Sequence, residues 1–177
     1  MSISRFPAVV DEVTVRLIAA VVLAVGIIAL GTEQWWLYAV LAIDFSLRAV
    51  VGPSASPVAR LVQRWIRPAV SAPKRPTSGT PKRFAAALGA VMTLAATALW
   101  VASLATGSSG ALVAVAVIGA IMVLFPALEA VLGICVGCWL FGLLMRVGLV
   151  PEEVCLDCAD ITKRRERLLA ERARQAA

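Results

Sequence analysis

Four cysteines stand in two equal spacings toward the end of the sequence, Cys135-Val-Gly-Cys138 and Cys155-Leu-Asp-Cys158, with 16 residues between the pairs. A Cys-x-x-Cys pair holds two thiols close enough for a dithiol–disulfide cycle. Two pairs at this separation also match the ligand spacing of a four-thiolate zinc site, with iron–sulfur ligation as a variant. The chain has no histidine. Imidazole bases, Ser-His triads and His-containing metal sites within it are therefore excluded.

The two pairs differ in their surroundings. Cys135 and Cys138 share a face if the segment is helical, and Gly133 can open a new helix whose positive N-terminal end favours a thiolate at Cys135. Cys135 is then the nucleophile and Cys138 its resolving partner. Glu152, Glu153, Asp157 and Asp160 surround Cys155 and Cys158, and their negative charge disfavours the thiolate there. Two dithiols of unequal acidity can pass electrons or sulfane sulfur by exchange, with Cys155 and Cys158 as the second station. In the zinc reading, Cys135, Cys138, Cys155 and Cys158 together pin the tail to the membrane domain.

The elements that must position these thiols are membrane helices. The chain has 177 residues, 60% of them hydrophobic, and a mean hydropathy of +0.88. That is too apolar for an ordinary water-soluble domain. Crossing a hydrocarbon core of about 30 Å takes roughly 20 helical residues. Apolar runs at about 13–30, 35–51 and 84–106 approach or exceed that length. The run from Ala111 to Met145 is too long for one crossing, because a straight helix of that length would reach about 52 Å. It is read as a fourth span at about 110–132 followed by an interfacial helix at about 134–147.

Charge sets the orientation. Arg60, Arg64, Arg67, Lys74, Arg75, Lys82 and Arg83 lie between the second and third spans, whereas the turns Gly31 to Gln34 and Gly107 to Gly110 carry no positive charge. The tail adds Arg146, Lys163, Arg164, Arg165, Arg167, Arg172 and Arg174. The positive-inside rule then predicts four spans with both termini and all four thiols on the cytoplasmic side. That compartment is reducing, which favours transient redox chemistry or metal binding over structural disulfides. Asp11 and Glu12 precede the first apolar run without a clear cleavage site behind it, so the first span is expected to be retained.

The fold class is thus all-α: a four-span bundle with a cytoplasmic-face interfacial helix and a helical C-terminal tail. Residues 1–148 form the membrane domain and 149–177 the tail, opened by Pro151 with Glu152 and Glu153 beside it. The loop at 58–83 begins with Leu61, Val62, Trp65 and Ile66 set among Arg60, Arg64 and Arg67, a basic amphipathic pattern suited to anionic lipid. From Pro68 to Arg83 its composition is that of an exposed linker. The net charge of +6 comes without a nucleic-acid motif, so membrane lipid is the partner it suggests.

Arg16, Asp44, Arg48 and Glu129 fall within the spans, where ionisable groups are costly and need partners. Asp44 and Arg48 are four apart on one helical face. The four residues are expected to form one polar cluster joining the first, second and fourth spans. It serves either as an ion network that fixes helix register, or as a polar cavity that binds an anion or relays protons beside the thiols.

The stretches Asp44-Phe45-Ser46-Leu47-Arg48, Ser56-Pro57 and Pro81-Lys82-Arg83-Phe84-Ala85 carry a resemblance to the bacterial membrane family called domain of unknown function 4395. So, above all, does the block Gly133-Ile134-Cys135-Val136-Gly137-Cys138, continuing through Val150-Pro151-Glu152-Glu153-Val154-Cys155 to Cys158. The resemblance implies an inner-membrane protein associated with thioredoxin-like and rhodanese-like proteins. The function expected is a membrane thiol relay with such a partner and no resident cofactor. The alternatives are a zinc-stapled scaffold without catalysis, or a homo-oligomeric transporter for a sulfur-containing anion with Arg16 and Arg48 as counter-ions. Four-helix disulfide-forming and vitamin K epoxide reductase-type oxidoreductases also use two cysteine pairs, but on the outer side, so quinone does not follow from that analogy.

Overall fold

The computed structural model describes residue 7 and residues 9–148; Cys155, Cys158 and the tail at 149–177 lie outside the described residues. The described chain is mostly helical, and its long helices pack against one another. Helix α1 spans Glu12–Gly31, α2 Trp36–Val50, α3 Pro57–Leu61, α4 Gly79–Thr106, α5 Ser109–Ala127 and α6 Val136–Arg146. Among the described residues, three stretches are long and apolar enough to cross a membrane: α1, α4, and α5 with its continuation to Leu132. Helix α2 has 15 residues, about 22 Å of rise.

Local signals set several helix ends. Ser56 caps α3, its hydroxyl accepting the Ala59 amide at 3.0 Å, with Pro57 in the first turn. Ser108 caps α5 in the same way. Pro126 lies inside the last turn of α5, where it has no amide to donate, and the chain then widens into a π-helical turn at Leu128–Leu132. Gly133, at φ +73°, closes that turn in the left-handed region that suits glycine. The long apolar run is thereby divided, and α6 begins at Val136 with Cys135 as its N-cap.

The core lies between the helices and is built from Ile18 and Val22 of α1, Tyr38, Leu41 and Phe45 of α2, Ala86, Ala90 and Ala96 of α4, and Val115 and Met122 of α5. Small residues let the helices approach closely, as membrane helix packing requires. At Gly137 a Cβ would come within 2.5 Å of the Ala85 Cβ, so α6 lies directly on the start of α4. The Phe84 and Phe141 rings meet beside this contact at 5.6 Å.

A short strand pair departs from the all-helical expectation. Strand β1, Val9–Asp11, pairs antiparallel with β2, Pro76–Ser78, in the register Val9 to Ser78, Val10 to Thr77 and Asp11 to Pro76. The linker expected from Pro68 to Arg83 therefore ends early. Its last residues pair with the segment before α1 or join α4, which starts at Gly79 and carries Lys82 and Arg83 in helix. Basic residues of the loop also satisfy the fold: Arg60 donates to the Ser54 and Ala55 carbonyls, and Arg67 to those of Val70 and Ala72. Leu61 and Trp65 remain exposed, while Val62 is fully buried.

Asp11 fastens this end of the bundle. Its carboxylate accepts Arg67 Nε at 2.8 Å, the Arg75 amide at 2.9 Å and the Thr14 hydroxyl at 2.8 Å. Burial alone would raise its pKa, but these donors outweigh it and hold the group at about 2 against an ordinary 3.8. A depressed carboxylate contributes stability that is complete above 3.8 and lost as the pH falls toward about 2. Acid unfolding followed by tryptophan fluorescence should show that loss between these two values, and Asp11→Asn should flatten it.

Candidate functional site

The thiol pair lies where α4, the turn after α5 and the start of α6 converge. As N-cap of α6, Cys135 adopts extended backbone (φ −89°, ψ 106°), and Cys138 follows at the third helical position. The cap lacks a side-chain hydrogen bond of ordinary geometry. The Cys138 thiol and amide nevertheless lie close enough to the Cys135 sulfur to favour its ionised form.

That contact is the main reason the Cys135 pKa lies below the ordinary thiol value; burial and the Glu129 carboxylate oppose it, and the Lys82 ammonium assists it. Cys138 shifts strongly upward, because it donates to Cys135, is buried, and faces the charge that its neighbour acquires. The pair is thus asymmetric, with Cys135 the readier nucleophile.

Lys82 and Glu129 form the charged wall of this site. Lys82 Nζ lies 2.5 Å from Glu129 Oε1, and both side chains are largely buried. Residues 82, 85, 86 and 89 share one face of α4. All four line a cavity of about 120 Å³, and they include the lysine and the Ala85 contact to α6. Apolar side chains form most of its wall, with Arg48, Lys82, Glu129 and Cys135 as its charged or reactive members.

The four ionisable residues expected to cluster divide into three arrangements. Asp44 is 2% exposed and bonds Arg48, while its other oxygen accepts the Ser56 hydroxyl at 2.6 Å and the Val58 amide at 2.9 Å. This hub ties the end of α2 to the start of α3, and the Arg48 guanidinium also lies 5.0 Å from the Phe45 ring centre. Glu129 pairs with Lys82, although it lines the same cavity as Arg48.

Arg16 stands apart from both groups. It donates to the Val131 carbonyl at 2.8 Å and to that of Ala130 at 3.2 Å. It thereby satisfies acceptors that a helix end leaves open, and it lies against Gly133 just before Cys135.

Lys82 and Ser56 are the participants that sequence reasoning misses. Lys82 reads as loop charge because residues 68–83 have linker composition. The signal that places it is the spacing 82, 85, 86, 89 behind Pro81, a helical face continued from the apolar span. The first dithiol is built from described residues; Cys155 and Cys158 lie outside them. Among the described residues, no group of three or more Cys, Asp or Glu is arranged to hold a metal ion.

A family model described as Domain of unknown function (DUF4395) matches residues 10–146, well over half of the chain. The matched stretch contains Cys135 and Cys138 and stops before Cys155. No curated protein and no solved structure matches the chain.

Proposed function

The chain belongs to the family described as domain of unknown function 4395, and on that premise we propose that it is a membrane-embedded thiol relay. It exchanges electrons or sulfane sulfur with a cytoplasmic thioredoxin-like or rhodanese-like partner. The observation that carries this reading is the asymmetric dithiol: Cys135 at a helix N-terminus, Cys138 one turn on, and Lys82 beside them. A lowered first thiol and a raised second one suit attack by Cys135 and resolution by Cys138. Cys155 and Cys158 act as the second station.

In this reading α2 completes a four-span inner-membrane bundle with both termini inside, and α6 lies along the cytoplasmic surface. Support comes from the arrangement of the bundle, whose arginine- and lysine-bearing loop shares one end with Cys135. The turns at the other end carry no basic residue.

Cys138→Ser should trap a partner on Cys135 as a thiol-sensitive adduct on a non-reducing gel, and Cys135→Ser should trap none. Tightly held zinc at about one ion per chain, with all four thiols protected, would instead establish the stapled scaffold. Labelling of Cys135 by an impermeant reagent from outside intact cells would overturn the orientation.

A further inference from the structure

The cavity beside Cys135 is a small, mainly apolar space among membrane helices, and its reactive residues gather at the loop end. Its volume of about 120 Å³ is comparable with the void of about 150 Å³ that accommodates a benzene ring in an engineered protein core. Ile18, Val22, Phe45, Met92, Met122 and Phe125 supply apolar wall, so a ring bearing an alkyl tail suits it better than a polar metabolite.

The charges are already balanced. Arg48 is paired with Asp44 and Lys82 with Glu129, which disfavours an anion and favours a neutral ligand. Arg48 Nε is nevertheless buried without a hydrogen-bond partner among the described residues. That donor calls for an acceptor oxygen. Cys135 lines the cavity and Cys138 does not, so a ligand there meets the nucleophile first.

We infer that this cavity takes the ring of a lipid-soluble quinone, which accepts the electron pair of the Cys135–Cys138 dithiol. The inference rests on the relay reading and names the oxidant of its first station. The Cys135 thiolate adds to a ring carbon, forming a C–S bond, and a ring oxygen takes up a proton. Cys138 loses its proton and attacks the Cys135 sulfur; the S–S bond forms as the C–S bond breaks. The released electron pair and a second proton remain with the ring. Two thiols and one quinone thus become one disulfide and one quinol, and the two thiol protons are conserved in the product. Arg48 positions a ring oxygen and is a positioning residue.

The test uses the full chain carrying Cys155→Ser and Cys158→Ser, reduced, in detergent micelles, with a fully substituted decyl benzoquinone. One quinone should be reduced for every two thiols lost. A redox-inert alkylphenol of equal tail length should slow this reaction at least tenfold while leaving oxidation by hydroxyethyl disulfide unaffected. Val15→Trp, which projects bulk into the cavity, should lower the ratio of the quinone rate to the disulfide rate by a similar factor. Quinone reduction that ignores both the alkylphenol and Val15→Trp would overturn the cavity as its site. A dithiol oxidised by the disulfide but inert to the quinone would remove the quinone and leave the relay standing. Inertness to both oxidants would remove the relay itself.

Discussion

Asp44→Ala is expected to destabilise the folded protein by about 3–5 kcal/mol, the usual cost of stranding one member of a buried ion pair. The carboxylate is 2% exposed and holds Arg48, the Ser56 hydroxyl and the Val58 amide together. Its removal leaves a guanidinium and two further donors without their acceptor, and the Phe45 ring compensates little of that. Unfolding in mild detergent, followed by tryptophan emission, measures the loss. The double variant Asp44→Leu with Arg48→Met should cost less than the sum of the single changes, since it buries no orphaned charge. A loss below about 1 kcal/mol for Asp44→Ala would mean that the pair behaves like a solvated one.

The second large effect concerns reactivity. Lys82→Gln should slow alkylation of Cys135 at neutral pH by about tenfold, in keeping with the weight of a neighbouring charge on thiol ionisation. The lysine both favours the Cys135 thiolate and neutralises Glu129, which opposes it. With Lys82 gone, the carboxylate acts on the thiol alone. The pH profile of alkylation should move to higher pH, the direction expected when a stabilising cation is lost. Lys82→Arg should retain most of the rate, and Glu129→Gln added to Lys82→Gln should recover part of it. An unmoved profile would remove Lys82 from the thiol site.

Much of the architecture is legible in the sequence because membrane helices announce themselves by apolar length, with Ser, Pro and Gly at their ends. The dithiol is legible for a similar reason, since Cys135 and Cys138 are neighbours in sequence before they are neighbours in space. The start of α4 is not, because Gly79, Thr80 and Pro81 read locally as linker, and their helical state depends on what Lys82 and Ala85 meet. Contacts between distant segments are the least visible. Nothing near Glu129 in sequence points to Lys82, and Arg16 looks like a counter-ion until Pro126 and the widened turn expose the Ala130 and Val131 carbonyls to it.

The pairing of Val9–Asp11 with Pro76–Ser78 has a consequence for biosynthesis. The first helix leaves the ribosome long before its flanking strand has anything to bind, because the complementary segment is made only after the second helix and the arginine-bearing loop. Until then Asp11 also lacks Arg67 and the Arg75 amide. The N-terminal helix therefore forms with a loose leading edge and is fastened retrospectively, so final assembly waits on residue 78.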